Sequence, residues 1–423
     1  MLSLRVSALF AVAAAIAWAG AAADLARSIH DIQLDPGECY RVRDLALTKE
    51  DLRLYFTDGY LIFAKPTGSV PAAAVFTAAV DGGDAEILLL APNRSERQSL
   101  ATHTGAPNLN EHFASAVFLF SDDTYRELHD QIRAGEANKK SQEAGLLMAS
   151  GWGLAVRNLA ASFESRLVLD LLSLNRQRRG FFFAALAGRQ LGNFDLVYDP
   201  RSQQQITAGK TSFRDERVYF DIWTAFEARS VRVGAQPPPA PEFELSDYRI
   251  DATLTPPDLG MRLTTRVKLK LREGRESVFP FDLTRQMRVT AATVDGQPAE
   301  VLERESMRSN LIRGTGNDLF LVVPAEPLVA GREYELEFRH EGSVIRDAGN
   351  KVYSITARGN WFPSRGLQFA HFDLLFRYPK ELDLVSSGDI VSDSTEGDVR
   401  VTRRKTSAPI RLAGFNLGDY ERA

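Results

Sequence analysis

The stretch Leu263-Thr264-Thr265-Arg266-Val267-Lys268-Leu269-Lys270-Leu271 alternates apolar and polar side chains almost without a break. Successive side chains of an extended strand point to opposite faces, so this spelling describes a half-buried strand. The same period continues outward. Tyr248-Arg-Ile-Asp-Ala-Thr-Leu254 precedes it and Val278-Phe-Pro-Phe-Asp-Leu283 follows, with turns at Asp295-Gly296, Gly331 and Glu396-Gly397. Short strands punctuated by turns about every ten residues predict an antiparallel β-sandwich or curved sheet over residues 246–423.

Upstream, Gly234-Ala-Gln-Pro237-Pro238-Pro239-Ala-Pro241 holds four prolines, which fix φ and remove donors. A Pro-rich linker is therefore expected over 234–245, with a first domain over 24–233. Leu52–Phe56 and Tyr60–Ala64 flank Thr57-Asp58-Gly59, and Val75–Val80 and Glu86–Leu90 flank Asp81-Gly82-Gly83. Both read as hairpins. Asp122-Asp123 offers a cap before Tyr125, Leu128 and Ile132 at helical spacing, and Leu159–Leu174 repeats apolar positions every three or four residues. Strand character returns at Phe181–Leu186, Phe194–Tyr198 and Arg217–Trp223. The expected fold class is mainly β: an N-terminal α+β domain of hairpins with a helical insert, then the antiparallel β domain.

The chain has 423 residues, 44% apolar and 25% charged, in the range of folded globular proteins. Its 51 Lys+Arg against 55 Asp+Glu give a net charge of -4 with no basic stripe, which argues against a nucleic-acid partner. The single cysteine, Cys39, excludes an intramolecular disulfide and a thiolate zinc site and reads as a small buried hydrophobe.

Residues 1–23 read as an export signal. Arg5 precedes an apolar run from Val6 to Trp18, and Ala19-Gly20-Ala21-Ala22-Ala23 offers cleavage after Ala21 or Ala23. The run is short of the roughly 20 residues that span a bilayer. The expected location is periplasmic or extracellular, with no stable membrane span after cleavage.

Motifs for chemistry give little. Zinc peptidases of the gluzincin type need His-Glu-x-x-His on one helix, and here His340-Glu341 continues Gly342-Ser343-Val344, with valine in place of the second ligand. His103 and His112, with Glu111 between, sit among Gly, Pro and Asn in what reads as a loop, where a solvated or capping role outweighs a ligand set. Gly209-Lys210-Thr211 lacks the upstream glycine of a phosphate loop, and no Gly-x-Ser-x-Gly elbow occurs. Asp122-Asp123 and Glu242/Glu244 read as a cap and a solvated linker, and Asn93-Arg94-Ser95 fits the N-glycosylation pattern. No catalytic, cofactor-binding or metal-binding residue is assigned.

Asn360-Trp361-Phe362-Pro363, the strand Phe369-Ala-His-Phe372-Asp373-Leu374-Leu-Phe376-Arg-Tyr-Pro379, Val385-Ser-Ser-Gly388, and Ala413-Gly414-Phe415-Asn-Leu-Gly418-Asp-Tyr420 together resemble the N-terminal β domain of the aminopeptidase N family of zinc metallopeptidases. Tyr248-x-Ile-x-Ala-x-Leu254, Val294-Asp295-Gly296 and Leu336-x-Phe338-x-x-x-Gly342 fit its earlier part. The resemblance covers about 246–423, and residues 24–233 match no family.

In that family the β domain precedes a zinc-binding catalytic domain that carries Gly-x-Met-Glu-Asn and the zinc helix. No methionine here is followed by glutamate, and Tyr353–Arg358 lacks the Gln or Glu that the β domain lends to the substrate pocket. What the resemblance implies is an exported, non-catalytic N-terminal portion, truncated from its catalytic domain or acting beside a separate one. Zinc is expected only in that other domain, and the partner is a catalytic peptidase domain or a peptide. The alternative is a stand-alone extracytoplasmic peptide- or protein-binding module.

Overall fold

The computed structural model describes residues 20–68, 70–175, 180–214, 217–255, 260–303, 317–355 and 360–420. Most of the expected export signal, residues 1–19, lies outside them. The fold is mainly β, with 52% strand and 18% helix. Among the described residues two compact units emerge, one of residues 24–240 and one of residues 241–303 and 317–420 together with residues 20–23.

The first unit has strands β1 (Leu34–Lys49), β2 (Leu52–Ala64), β3 (Ala73–Thr77), β4 (Asp84–Leu89), β5 (Leu109–Phe120), β6 (Lys139–Lys140), β7 (Phe182–Gly188), β8 (Asn193–Tyr198), β9 (Ile206–Arg214) and β10 (Arg217–Phe226). Its helices are α1 (Ala21–His30), α2 (Arg94–Thr104), α3 (Thr124–Ala134), α4 (Gln142–Ser162), α5 (Glu164–Leu172) and the single turn α6 (Arg229–Arg232). One sheet runs in the order β10-β9-β8-β7-β5-β3-β2-β1-β6, with β4 pairing both β2 and β5.

The two hairpins expected here are absent in that form. Residues 52–64 are one continuous strand, and the turn lies at Glu50-Asp51, where Glu50 takes φ 59. Gly59 sits inside the strand for a packing reason: a Cβ there would lie 2.5 Å from the Phe76 ring. Nor do β3 and β4 pair with each other. They lie end to end in one slot, β3 against Tyr60–Phe63 and Ser115–Leu119, β4 against Leu52–Asp58 and Leu109–His112. The long strands β2 and β5 outrun β3, and the loop through Asp81-Gly82-Gly83 carries the chain out and returns it, in the same direction, to the register beyond β3.

Neighbours along the central strands, such as Ile62 with Phe63 and Val75 with Phe76, are all buried, so the sheet is covered on both faces. Leu100 of α2 and Leu128 and Ile132 of α3 join Phe56, Phe76 and Phe118 in one core. On the other face α4 packs on β1, and a Cβ on Gly145 would lie 2.3 Å from the Pro36 carbonyl oxygen, so glycine sets that close approach. Only the end of this helical region was legible as periodic. The helix in fact starts at Gln142, where the Ser141 hydroxyl accepts from the Ala144 N–H at 3.4 Å.

The second unit contains β11 (Phe243–Thr255), β12 (Gly260–Leu271), β13 (Arg275–Glu276), β14 (Phe279–Thr284), β15 (Met287–Val294), β16 (Gln297–Glu303), β17 (Asn317–Val323), β18 (Leu328–Val329), β19 (Glu333–Gly342), β20 (Ile345–Asp347), β21 (Val352–Ile355), β22 (Phe372–Pro379), β23 (Asp383–Ser386), β24 (Asp389–Glu396), β25 (Val399–Lys405) and β26 (Phe415–Gly418). A ten-stranded sheet, β14-β17-β16-β15-β19-β12-β11-β22-β25-β24, and a four-stranded sheet, β20-β21-β26-β23, share one apolar core.

The alternation of Leu263–Leu271 is realised in β12: Leu263, Thr265, Val267, Leu269 and Leu271 are buried while Arg266 and Lys270 face outward. Asp295 (φ 47) and Gly296 (φ 77) make the primed turn that closes β15 onto β16. One pairing departs from the antiparallel expectation: β11 lies parallel to β22.

Candidate functional site

His103 ends α2 and stacks on Trp223, with ring centroids 6.4 Å apart and 17° between planes. Glu111 and His112 are not in a loop. They are consecutive residues of β5, so their side chains take opposite faces. Glu111 is buried and accepts from the backbone N–H groups of Gln190 at 2.5 Å and Leu191 at 3.3 Å. His112 is outside, its Nδ1 2.8 Å from Asp84 Oδ2. The three therefore serve separate local structures, and among the described residues no group of three His, Cys, Asp or Glu side chains is placed to hold a metal.

The remaining singled-out residues have structural work. Cys39 is buried with Sγ 3.9 Å from Met148 Sδ, and burial pushes its thiol up to about 11. Asp122 accepts from Thr124 N–H at 3.0 Å and pairs with Lys49 Nζ at 2.8 Å, and burial raises its carboxyl against the pull of that lysine. The Asp123 side chain caps nothing. Lys210 and Thr211 lie on β9 rather than in a phosphate loop. Asn93 caps α2 by accepting from Glu96 N–H at 2.9 Å, and Glu244 pairs with Arg272 at 3.1 Å on the surface. Of Tyr353–Arg358, residues 356–358 lie outside the described residues.

His340 and Glu341 occupy opposite faces of β19. Glu341 accepts from Arg288 at 3.0 Å outside, whereas the His340 Nε2 meets the Thr265 hydroxyl at 2.9 Å inside. Burial alone pushes the His340 imidazole down to about 3. The unfolded chain, with a value of about 6.5, then binds the proton first as pH falls. Stability is full above about pH 6.5 and drains away toward pH 3, with about 2–3 kcal/mol lost by pH 4.5. Urea midpoints at pH 7 and 4.5 check this: His340→Gln is expected to shrink the difference, and an undiminished difference would rule out His340 as its source.

What the fold does build is a shallow cleft of about 630 Å³ on the first unit, lined by His103, Leu191, Lys210, Phe220, Asp221, Ile222 and Trp223. It lies beside β10, which among the described residues pairs with β9 alone and ends the sheet. Helix α2 is tied to that strand at two places. The Ser99 hydroxyl donates to the Trp223 carbonyl at 2.8 Å, and Glu96 Oε2 accepts from the Thr224 hydroxyl at 2.7 Å and the Ala225 N–H at 3.1 Å. Trp223 is held between His103 and Phe194, whose centroid is 5.5 Å away. The floor is thus aromatic and fixed, Ile222 is exposed, and the cross-strand pair Lys210 and Asp221 supplies both charges at the rim. An edge strand beside a rigid aromatic floor suits an extended apolar segment.

No family model matches the chain, and no curated relative does. Solved structures that it is similar to include M1 zinc metallopeptidases. The enzyme from Deinococcus radiodurans aligns at 14% identity over 42% of this chain and 43% of its own, with a TM-score of 0.36. An alanine variant from the same organism, bound to a Tyr-Ser-Ala substrate, gives 16% identity over 42% of each chain and a TM-score of 0.35. A two-domain M1 zinc metallopeptidase variant bound to L-arginine gives 15%, 43% of this chain, 44% of its own and 0.36. The chain spans less than half the length of these structures.

Proposed function

We propose that the chain is an exported, non-catalytic portion of an aminopeptidase N-like system, whose Pro241–Ala423 unit acts as the β domain that accompanies a zinc peptidase domain. One observation carries the reading: six aromatic residues among those that bear the resemblance, scattered from Tyr248 to Phe415, meet around Trp361. Its ring lies 5.2 Å from Phe362 and 5.3 Å from Phe415, Phe376 packs 5.3 Å from Phe415, and Phe362 bridges to Phe372 and Tyr248. They form one hub, which supports reading them as a shared β-domain core. Within these 423 residues there is no His-Glu-x-x-His, so the peptidase chemistry belongs to another domain. Residues 24–423 assayed with amino-acid anilides and zinc are expected to give no turnover, and chelator-sensitive hydrolysis would overturn the reading.

The cleft beside β10 favours a second reading, in which the first unit itself holds an extended peptide or protein segment by strand addition. Calorimetry against a peptide library, with Ile222→Asp as the control, separates the two. Saturable binding that this variant loses favours a binding module, and no binding across the library removes it.

A further inference from the structure

Helix α4 is apolar on its inner face and mixed on its outer one, where leucines stand among the exposed Gln142, Glu143, Ser150, Arg157 and Asn158. Its inner face, Gly145, Met148, Val156, Leu159 and Ala160, is buried against the sheet. The outer face carries Leu146, Leu147 and Leu154, which are 59%, 71% and 64% exposed. Solvent-facing leucines in this number on one helix are costly unless something covers them.

The spacing says what fits. Glu143, Leu147, Ser150, Leu154 and Arg157 recur at intervals of four, three, four and three residues, the heptad seam along which two helices pack side by side. All five are exposed, and among the described residues neither Glu143 nor Arg157 forms an ion pair within the chain. The seam is small in the middle: beside Ser150, a Cβ placed on Gly151 meets nothing.

The seam is also complementary to itself in one direction only. When two copies of α4 run antiparallel about a twofold axis at Ser150-Gly151, Glu143 of each faces Arg157 of the other at both ends, and Leu147 faces Leu154 on either side of the centre. A parallel pair would set Glu143 against Glu143 and Arg157 against Arg157, which repel. Such an isologous contact closes at two copies.

We propose that the outer face of α4 is the seam of an antiparallel homodimer of this chain. A single helix face is a small interface, so the dimer is of the weak, concentration-dependent kind.

Sedimentation velocity on residues 24–423 over a concentration series up to about 300 µM is expected to show the mass double, as for a weak interface. Leu147→Glu with Leu154→Glu should stay monomeric throughout with an unchanged circular dichroism spectrum. Glu143→Arg alone and Arg157→Glu alone should each weaken association about tenfold at low salt, and the two together should restore it. That rescue distinguishes a self-complementary seam from general stickiness. The proposal is overturned if the wild type is monomeric across the series, if the double glutamate variant still dimerises, or if the paired charge reversal fails to rescue. Binding of the monomeric wild type to phosphatidylglycerol vesicles, abolished by the double glutamate variant, would assign the face to lipid and overturn it equally.

Discussion

Trp361→Ala is expected to cost the Pro241–Ala423 unit about 3–5 kcal/mol, enough to consume much of the stability of an ordinary domain. Trp361 is wholly buried at the centre of the aromatic hub, so truncation leaves a void walled by Phe362, Phe376 and Phe415 that the two sheets cannot close without moving. It also removes the indole N–H that donates to the Ala413 carbonyl at 2.7 Å, stranding a buried acceptor. Trp361→Phe separates the two effects, since it keeps most of the volume and loses only the donor. Urea unfolding followed by circular dichroism should rank wild type above phenylalanine above alanine. Equal losses for the two variants would mean that the hydrogen bond, not the packing, carries the site.

The second large effect is expected at Asp170, in the first unit. This fully buried carboxylate accepts from the Arg166 guanidinium, the Ser121 hydroxyl and, at 3.3 Å, Arg201 Nε, while Arg166 also reaches Asp199 at 2.9 Å. Burial works to lower the Arg166 pKa, but Asp170 and Asp199 outweigh it and hold the guanidinium above its ordinary value. Asp170→Asn keeps the shape and removes the charge, leaving buried guanidinium groups short of an anion, at about 3 kcal/mol. Arg166→Met combined with Asp170→Leu is expected to lose less than the two single changes added together, because neither charge is then left alone. Strict additivity in that cycle would show that the two side chains do not act as a pair.

The β character of the second unit was legible from Leu263–Leu271 onward because one face of β12 is buried and the other is wet, which writes a two-residue period into the sequence. The first unit hid more. Thr57-Asp58-Gly59 spells a turn, yet the chain runs straight through it, since the glycine answers to the Phe76 ring rather than to a bend. Most of α4 escaped because the leucines on its outer face blur the contrast from which a period is read. The cleft was less legible still. Its lining comes from α2, the turn after β7, β9 and β10, which only the folded sheet brings together. The spelling around His103 favours a solvated or capping role and that around Lys210 fails as a phosphate loop, and neither pattern hints that the two residues line the same wall.

The parallel pairing of β11 with β22 has a consequence for the order in which the second unit folds. Tyr248 sits beside Phe372, so this ladder closes a loop of about 120 residues, whereas the β11–β12 and β15–β16 hairpins close within a few. The hairpins can form as soon as their residues are available. Strands β24 and β25 close on each other across a short turn of their own, but they join the ten-stranded sheet only through β22, whose ladder to β11 spans that long loop. The aromatic hub draws on both sides of that loop, Tyr248 of β11 on one and Phe372, Phe376 and Phe415 on the other, so it is complete only when nearly all of the unit's chain is present.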